Sequence, residues 1–215
     1  MQKLIEGFKK FQTEVFRAKK GLFDRLAHQQ HPRALFITCS DSRIDPCLLT
    51  QTEPGELFIL RNAGNLVPSY GATVGSTTAT IEYAVGVLEV RNIIVCGHTD
   101  CGVVKALLDP DQVGDLPAVK AWLTQAEATR RVVKENYAHL NGEALLVATI
   151  QENVRIQVEH LQTHPTVAAR LRRGALELHG WVYSIATGDV WAYDFDKDRF
   201  VSLLDVRPDN RRAGR

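Results

Sequence analysis

Three short apolar runs, each ending in a polar cluster, constrain the fold of this chain more than any other feature. They are RALFIT at 33–38, GELFIL at 55–60 and NIIVCG at 92–97. Each has the length and the branched or aromatic content of a strand buried on both faces. Between the last two lies VGSTTATIEYAVGVLEV, residues 74–90, with Ile81, Val85 and Leu88 on one side of a helix. Strands alternating with helices predict an α/β fold: a central parallel β-sheet flanked by helices. Ligands of such sheets gather beyond the carboxyl ends of the strands. The polar clusters fall there: TCSDSR at 38–43, RNAGN at 61–65 and GHTDCG at 97–102.

The flanking segments complete the expectation. Residues 1–30 read as a helical arm, with Leu4, Phe8, Phe11 and Val15 recurring at spacings of three and four. Such a stripe either packs on its own domain or docks a second subunit, and periodicity does not separate the two. Residues 115–173 read as helices, including LPAVKAWLTQAEATRRVV and ALLVATIQENVRIQVEHL. LELHGWVYSIATGDVWAYD alternates apolar and polar residues around Thr187-Gly188-Asp189, which predicts a C-terminal hairpin at the sheet edge. No linker, repeat or low-complexity segment divides the chain, so one domain over 1–215 is expected, with 207–215 a disordered basic tail.

Gross composition narrows the function by exclusion. A formal net charge of +1 gives no electrostatic case for a nucleic-acid partner. No apolar run approaches the roughly 20 residues of a membrane span, and the N-terminus lacks a signal-peptide core, so a cytoplasmic location is expected. In a reducing compartment the four cysteines are metal ligands, catalytic groups or core thiols rather than disulfides.

Of these, Cys101 stands with His98 in an H-x-x-C spacing after the third strand, and Cys39 ends the first. Alone, each invites a bland reading: chance spacing, a buried thiol, a surface Asp–Arg pair. Together they make a Cys₂His set, the ligand number of a catalytic zinc site that keeps one position open. Cys96 lies inside an apolar run and Cys47 follows Pro46, so both read as inert. His139, His160, His164 and His179 read as surface or core. Two thiolates and an imidazole leave a divalent zinc site neutral, and a water there ionises near a pH of about 7. Asp41, two residues past Cys39, suits the orientation of that water. Arg43 suits holding the carboxylate by two parallel hydrogen bonds.

CSDSR at 39–43 followed by GHTDCG at 97–102 resembles the β-class carbonic anhydrases. PGELFILRNAGNLVP, IEYAVGVLEVRNIIVCGHTDCG and LHGWVY extend the resemblance over most of the chain. Among members, RNAGN, AEATRR at 126–131 and LHGW look most like the cyanobacterial carboxysomal enzymes. The resemblance implies zinc on Cys39, His98 and Cys101, with Asp41 joining the metal only in a closed state. It implies Asp41 and Arg43 as the catalytic dyad. It also implies a substrate pocket of Gln30, Phe58, Ala63, Tyr83 and Gly102, built partly by a neighbouring subunit. The implied reaction is reversible hydration of carbon dioxide to bicarbonate. The implied assembly is a homodimer or a set of dimers, with a carboxysome scaffold protein as a candidate partner. Rival readings are a carbon disulfide or carbonyl sulfide hydrolase on the same scaffold, a zinc-bearing scaffold without turnover, and a metal-free cysteine nucleophile. The chain departs from common members at Ala63 for Val, Thr99 for Ser, and Phe36 for the Trp of members with a bicarbonate switch site. It also stops at Arg215, without the C-terminal extension of carboxysomal relatives.

Overall fold

The computed structural model describes residues 1–72 and 75–206. The basic tail at 207–215 lies outside the described residues, as does Val74 at the start of the expected second-strand-to-third-strand helix. Two compact units emerge, Met1–His31 and Pro32–Arg215.

The first unit is helical throughout: α1 (Gln2–Lys10), a π-turn (Phe11–Val15), α2 (Phe16–Ala18) and α3 (Lys20–Leu26). Phe16 stacks on Phe23 at 4.9 Å between ring centroids, and Phe11 meets Phe23 edge-on at 5.8 Å. Those contacts tie the π-turn to α3. Leu4, Phe8, Phe11 and Val15 remain exposed, Leu4 by 70% and Phe8 by 63%.

The second unit carries a six-stranded mixed sheet. Its strands are β1 (Ala34–Cys39), β2 (Leu57–Asn62), β3 (Asn92–His98), β4 (Glu177–Tyr183), β5 (Val190–Asp194) and β6 (Arg199–Ser202), in the order β2-β1-β3-β4-β5-β6. The first four run parallel; β5 pairs antiparallel with β4, and β6 antiparallel with β5. The three apolar runs are thus β1, β2 and β3. The predicted hairpin is β4–β5, closed by Ser184 N–H on the Asp189 carbonyl at 2.8 Å. β4 does double duty, since it also extends the parallel sheet beside β3. The helices are α4 (Pro46–Thr50), α5 (Ser76–Gly86), α6 (Gly102–Leu108), α7 (Pro117–Leu123), α8 (Glu127–Asn136), α9 (Gly142–Gln162) and α10 (Pro165–Arg172).

Strand alternation sorts the core into two faces. Leu35, Ile37, Cys39, Ile93 and Val95 pack with Ile81, Val85, Val154, Val158 and Leu161. Ala34, Phe36, Ile94 and Cys96 pack on the other side with Ile44. Burying a strand on both faces is why the runs read as nearly continuous apolar stretches. The helical face is tight. A β-carbon at Gly97 would lie 2.8 Å from Val154 Cγ2, and one at Gly180 would lie 3.0 Å from Val154 Cγ1. Those two glycines let α9 approach β3 and β4. Among the described residues no helix is long and apolar enough to cross a membrane.

Candidate metal centre

β1 and β3 are neighbours and parallel, so their carboxyl ends deliver Cys39 and His98 side by side. The chain then turns through Thr99 and Asp100 and places Cys101 immediately before α6. One donor atom from each of Cys39, His98 and Cys101 lies within 4.8 Å of the others, and all three residues are buried. Cys96 is not among them: it packs with Ala34, Phe36, Ile44 and Ile94, in a core cluster separate from that of Cys39 and Cys101. Burial there pushes its thiol pKa up.

The donor set fits a soft divalent cation. His98 Nδ1 lies 2.8 Å from the Thr99 carbonyl, which makes Nδ1 the N–H donor and leaves Nε2 with a free lone pair. Nε2 is buried and has no hydrogen-bond partner. A buried polar atom without a partner is costly unless something else meets it, and a metal ion would. The thiols agree. Contact with Cys101 draws the Cys39 pKa far down, helped by His98 and by the Gly64 N–H 3.4 Å from Sγ. Cys101 is in turn pushed up by its contact with Cys39 and by burial. Thiolates are the form that binds a metal, and a bound divalent ion would let both sulfurs ionise. Burial alone would depress the His98 pKa, but its contacts with Cys39 and the Thr99 carbonyl outweigh that and raise it.

Asp41 stands beside this cluster, with Oδ2 3.8 Å from His98 Nε2. It is paired with Arg43 in a fork: Nε donates to Oδ1 at 3.0 Å and a terminal nitrogen to Oδ2 at 2.7 Å. The Arg43 backbone N–H adds a third bond to Oδ1 at 2.9 Å. These bonds hold the Asp41 carboxyl well below the usual carboxylate range. It is a permanent acceptor, turned to Arg43.

Three supporting groups escaped the reading of the sequence. Arg61 donates to the carbonyls of Cys39 (3.1 Å), Asp41 (2.6 Å) and Ile44 (2.9 Å), bracing the loop that carries Asp41 and Arg43. Asp100 accepts from Arg43 through Oδ2 at 3.0 Å and through its carbonyl at 3.2 Å, and it pairs with Lys105. Gly64 supplies the N–H on Cys39. RNAGN and GHTDCG contain all three residues, but only the folded chain shows their partners. Thr99 keeps the role open to Ser at that position, since its hydroxyl accepts from the Ile185 N–H at 3.1 Å.

The remaining predicted site residues divide. Ala63 opens the turn beside Gly64, its carbonyl accepting from Trp122 Nε1 at 2.7 Å, and Gly102 follows Cys101 at the start of α6. Both adjoin the cluster. Phe58 and Tyr83 meet each other, with ring centroids 6.1 Å apart. They do not meet the cluster of their own chain. β2 aligns Asn62 with Cys39 but Phe58 with Leu35, a set-back of four residues or about 13 Å along the strand. Gln30 is exposed in the first unit, beyond α3.

Comparisons with known proteins point to one family. The family model described as carbonic anhydrase matches residues 34–190. A carbonic anhydrase of Synechocystis sp. is 52% identical over 203 residues, covering 94% of this chain and 74% of that protein. The solved structure of the β-carbonic anhydrase CcaA matches with a TM-score of 0.92 at 51% identity, covering 94% of this chain and 98% of that one. A structure from a study of two tetrameric β-carbonic anhydrases of the ascomycete Sordaria macrospora matches with a TM-score of 0.72 at 29% identity. It covers 94% of this chain and 92% of that one.

Proposed function

The chain belongs to the β-class carbonic anhydrases, and from that premise we propose how its own residues serve the reaction CO₂ + H₂O ⇌ HCO₃⁻ + H⁺. It is a zinc-dependent lyase. Cys39, His98 and Cys101 would hold the ion, which when bound supplies a Lewis acid that makes water acidic near neutral pH.

Asp41 is the hydrogen-bond acceptor that orients the attacking water. Its carboxylate stays ionised because Arg43 donates to both oxygens. Arg43 does a second job: while it holds Asp41, the carboxylate does not turn onto the metal. The observation that carries this reading is that fork, formed beside three buried donors with Asp41 Oδ2 3.8 Å from His98 Nε2. A site that only bound zinc would have no use for an exposed arginine forked onto a nearby carboxylate. Ala63 and Gly102 line the pocket from the same chain.

Phe58, Tyr83 and Gln30 act on the pocket of a second subunit, with the aromatic pair as its apolar wall and the Gln30 amide as a donor to substrate oxygen. The distance of Phe58 from its own cluster supports this, as does the exposed stripe of the arm. The arm and the sheet-bearing unit then make one domain over 1–215 that works as a homodimer or a set of dimers. A cytoplasmic or carboxysomal setting with a scaffold partner follows from the resemblance to carboxysomal members. The test is Arg43→Ala, which should retain zinc and lose turnover by about 10²-fold or more. Wild-type turnover in that variant would overturn the assignment of the dyad.

A further inference from the structure

We propose that Asp100 is a positioning residue for the reaction: it grips the outer edge of the Arg43 guanidinium and so keeps the inner edge on Asp41. This rests on the roles of Asp41 and Arg43 given above.

A guanidinium is a planar fork, so hydrogen bonds at both ends fix its plane as well as its position. Arg43 uses Nε and one terminal nitrogen on Asp41, and the other terminal nitrogen on Asp100 Oδ2 at 3.0 Å. The Asp100 carbonyl takes a further bond at 3.2 Å. Arg43 is 44% exposed on its side chain. Held only by Asp41, a long side chain at that exposure would exchange its hydrogen bonds with water readily. With Asp100 engaged, leaving Asp41 means breaking contacts at both ends.

The backbone is shaped for this grip. Asp100 has φ of 61°, in the left-handed region, where few residues other than glycine, asparagine and aspartate settle. That turn brings its carbonyl and its carboxylate to Arg43 together. Its other carboxylate oxygen is taken by Lys105 on α6, so each oxygen has its own cation. Lys105 and Arg43 together hold the Asp100 carboxyl below the usual range. The consequence is a link between two loops. The segment that carries His98 and Cys101 grips the arginine that aims Asp41, which arrives on the loop after β1. Metal ligands and water-orienting group are thereby kept in register.

Two variants isolate the side chain. Asp100→Gly tolerates the positive φ and deletes the carboxylate while keeping the carbonyl. Asp100→Asn also suits that backbone, and it keeps an acceptor but removes the charge. The assays use the zinc-loaded protein with ¹⁵N-arginine labelling, the Arg43 signal being identified by its loss in Arg43→Ala. Asp100→Gly should lower kcat by about fivefold with KM, zinc content and Tm unchanged, the scale of an exposed ion pair. Asp100→Asn should lie between it and wild type. The Arg43 Nε–H, which donates to Asp41, should exchange with solvent severalfold faster in Asp100→Gly. If either kcat or that exchange rate stays at the wild-type value while Arg43→Ala is inactive, the positioning role of Asp100 is overturned and the dyad stands. If Arg43→Ala itself turns over normally, the dyad falls, and the role of Asp100 with it.

Discussion

Replacing Gly64 by alanine should loosen the metal centre, although residue 64 contributes no side chain to it. Gly64 has φ of 80°, and an added β-carbon would lie 2.6 Å from Val103 Cγ1 and 3.2 Å from Val103 Cβ. The turn cannot simply back away. Its N–H is on Cys39 Sγ at 3.4 Å, and its carbonyl accepts from Asn153 Nδ2 at 3.1 Å. Val103 is the second residue of α6, two after Cys101. Relief therefore moves the start of α6 and draws Cys101 away from Cys39. The left-handed backbone costs an alanine about 1 kcal/mol, and overpacking adds about 1–3 kcal/mol. The expected loss is about 2–4 kcal/mol in denaturant unfolding of the zinc-loaded protein, with weaker zinc retention against a chromophoric chelator. Val103→Ala removes the offending methyl. In the double variant the overpacking part should be recovered, a coupling of about 1–3 kcal/mol, while the backbone part remains. Strictly additive free energies, or a Gly64→Ala protein with wild-type stability and zinc affinity, would refute the reasoning.

Three further outcomes are expected. Cys101→Ala should lose both zinc and activity while Cys47→Ala keeps both; full zinc by elemental analysis in Cys101→Ala would contradict the ligand set. Light scattering coupled to sizing should show a dimer or larger, and Phe8→Asp, placed in the exposed stripe of the arm, should shift it toward monomer; an active, monodisperse wild-type monomer would count against the assembly. Because Arg43 holds the Asp41 carboxyl below its ordinary range, the stability that this pair contributes is in place above the free aspartate value of about 3.9 and is lost only as pH falls through the lower folded value. In Arg43→Ala the Asp41 carboxyl should titrate nearer 4, which ¹³C NMR can follow; a wild-type Asp41 titrating there too would show that Arg43 does not hold it.

What was legible in the sequence follows from how local its signals are. Runs of branched and aromatic residues mark β1, β2 and β3 because strands buried on both faces have no polar alternation to hide them. The turn at Thr187-Gly188-Asp189 marks the β4–β5 hairpin because Gly188 meets a positive φ of 78°. β6 was not anticipated, since RFVS is a four-residue edge strand, too short to show a pattern of its own. The arm reads as helix, but its π-turn does not, because a one-residue widening leaves the apolar spacing nearly unchanged. Cys39, His98, Cys101, Asp41 and Arg43 stand out as site candidates because each sits at or just beyond the end of a parallel strand.

By itself, then, the sequence determined the element types and the side of the sheet on which chemistry collects. Both depend on periodicity and on residues close together in the chain. Tertiary structure decided the rest. Strand register set Cys96 in the core face opposite Cys39 and put Phe58 four residues short of the metal cluster. The turn after β2 brought Gly64 N–H to a thiol 25 positions earlier, and Arg61 to three carbonyls of the β1 loop. The left-handed turn at Asp100 carried its carboxylate to an arginine 57 positions away. Contacts across such separations depend on how whole strands and helices pack, and no short window of residues encodes them.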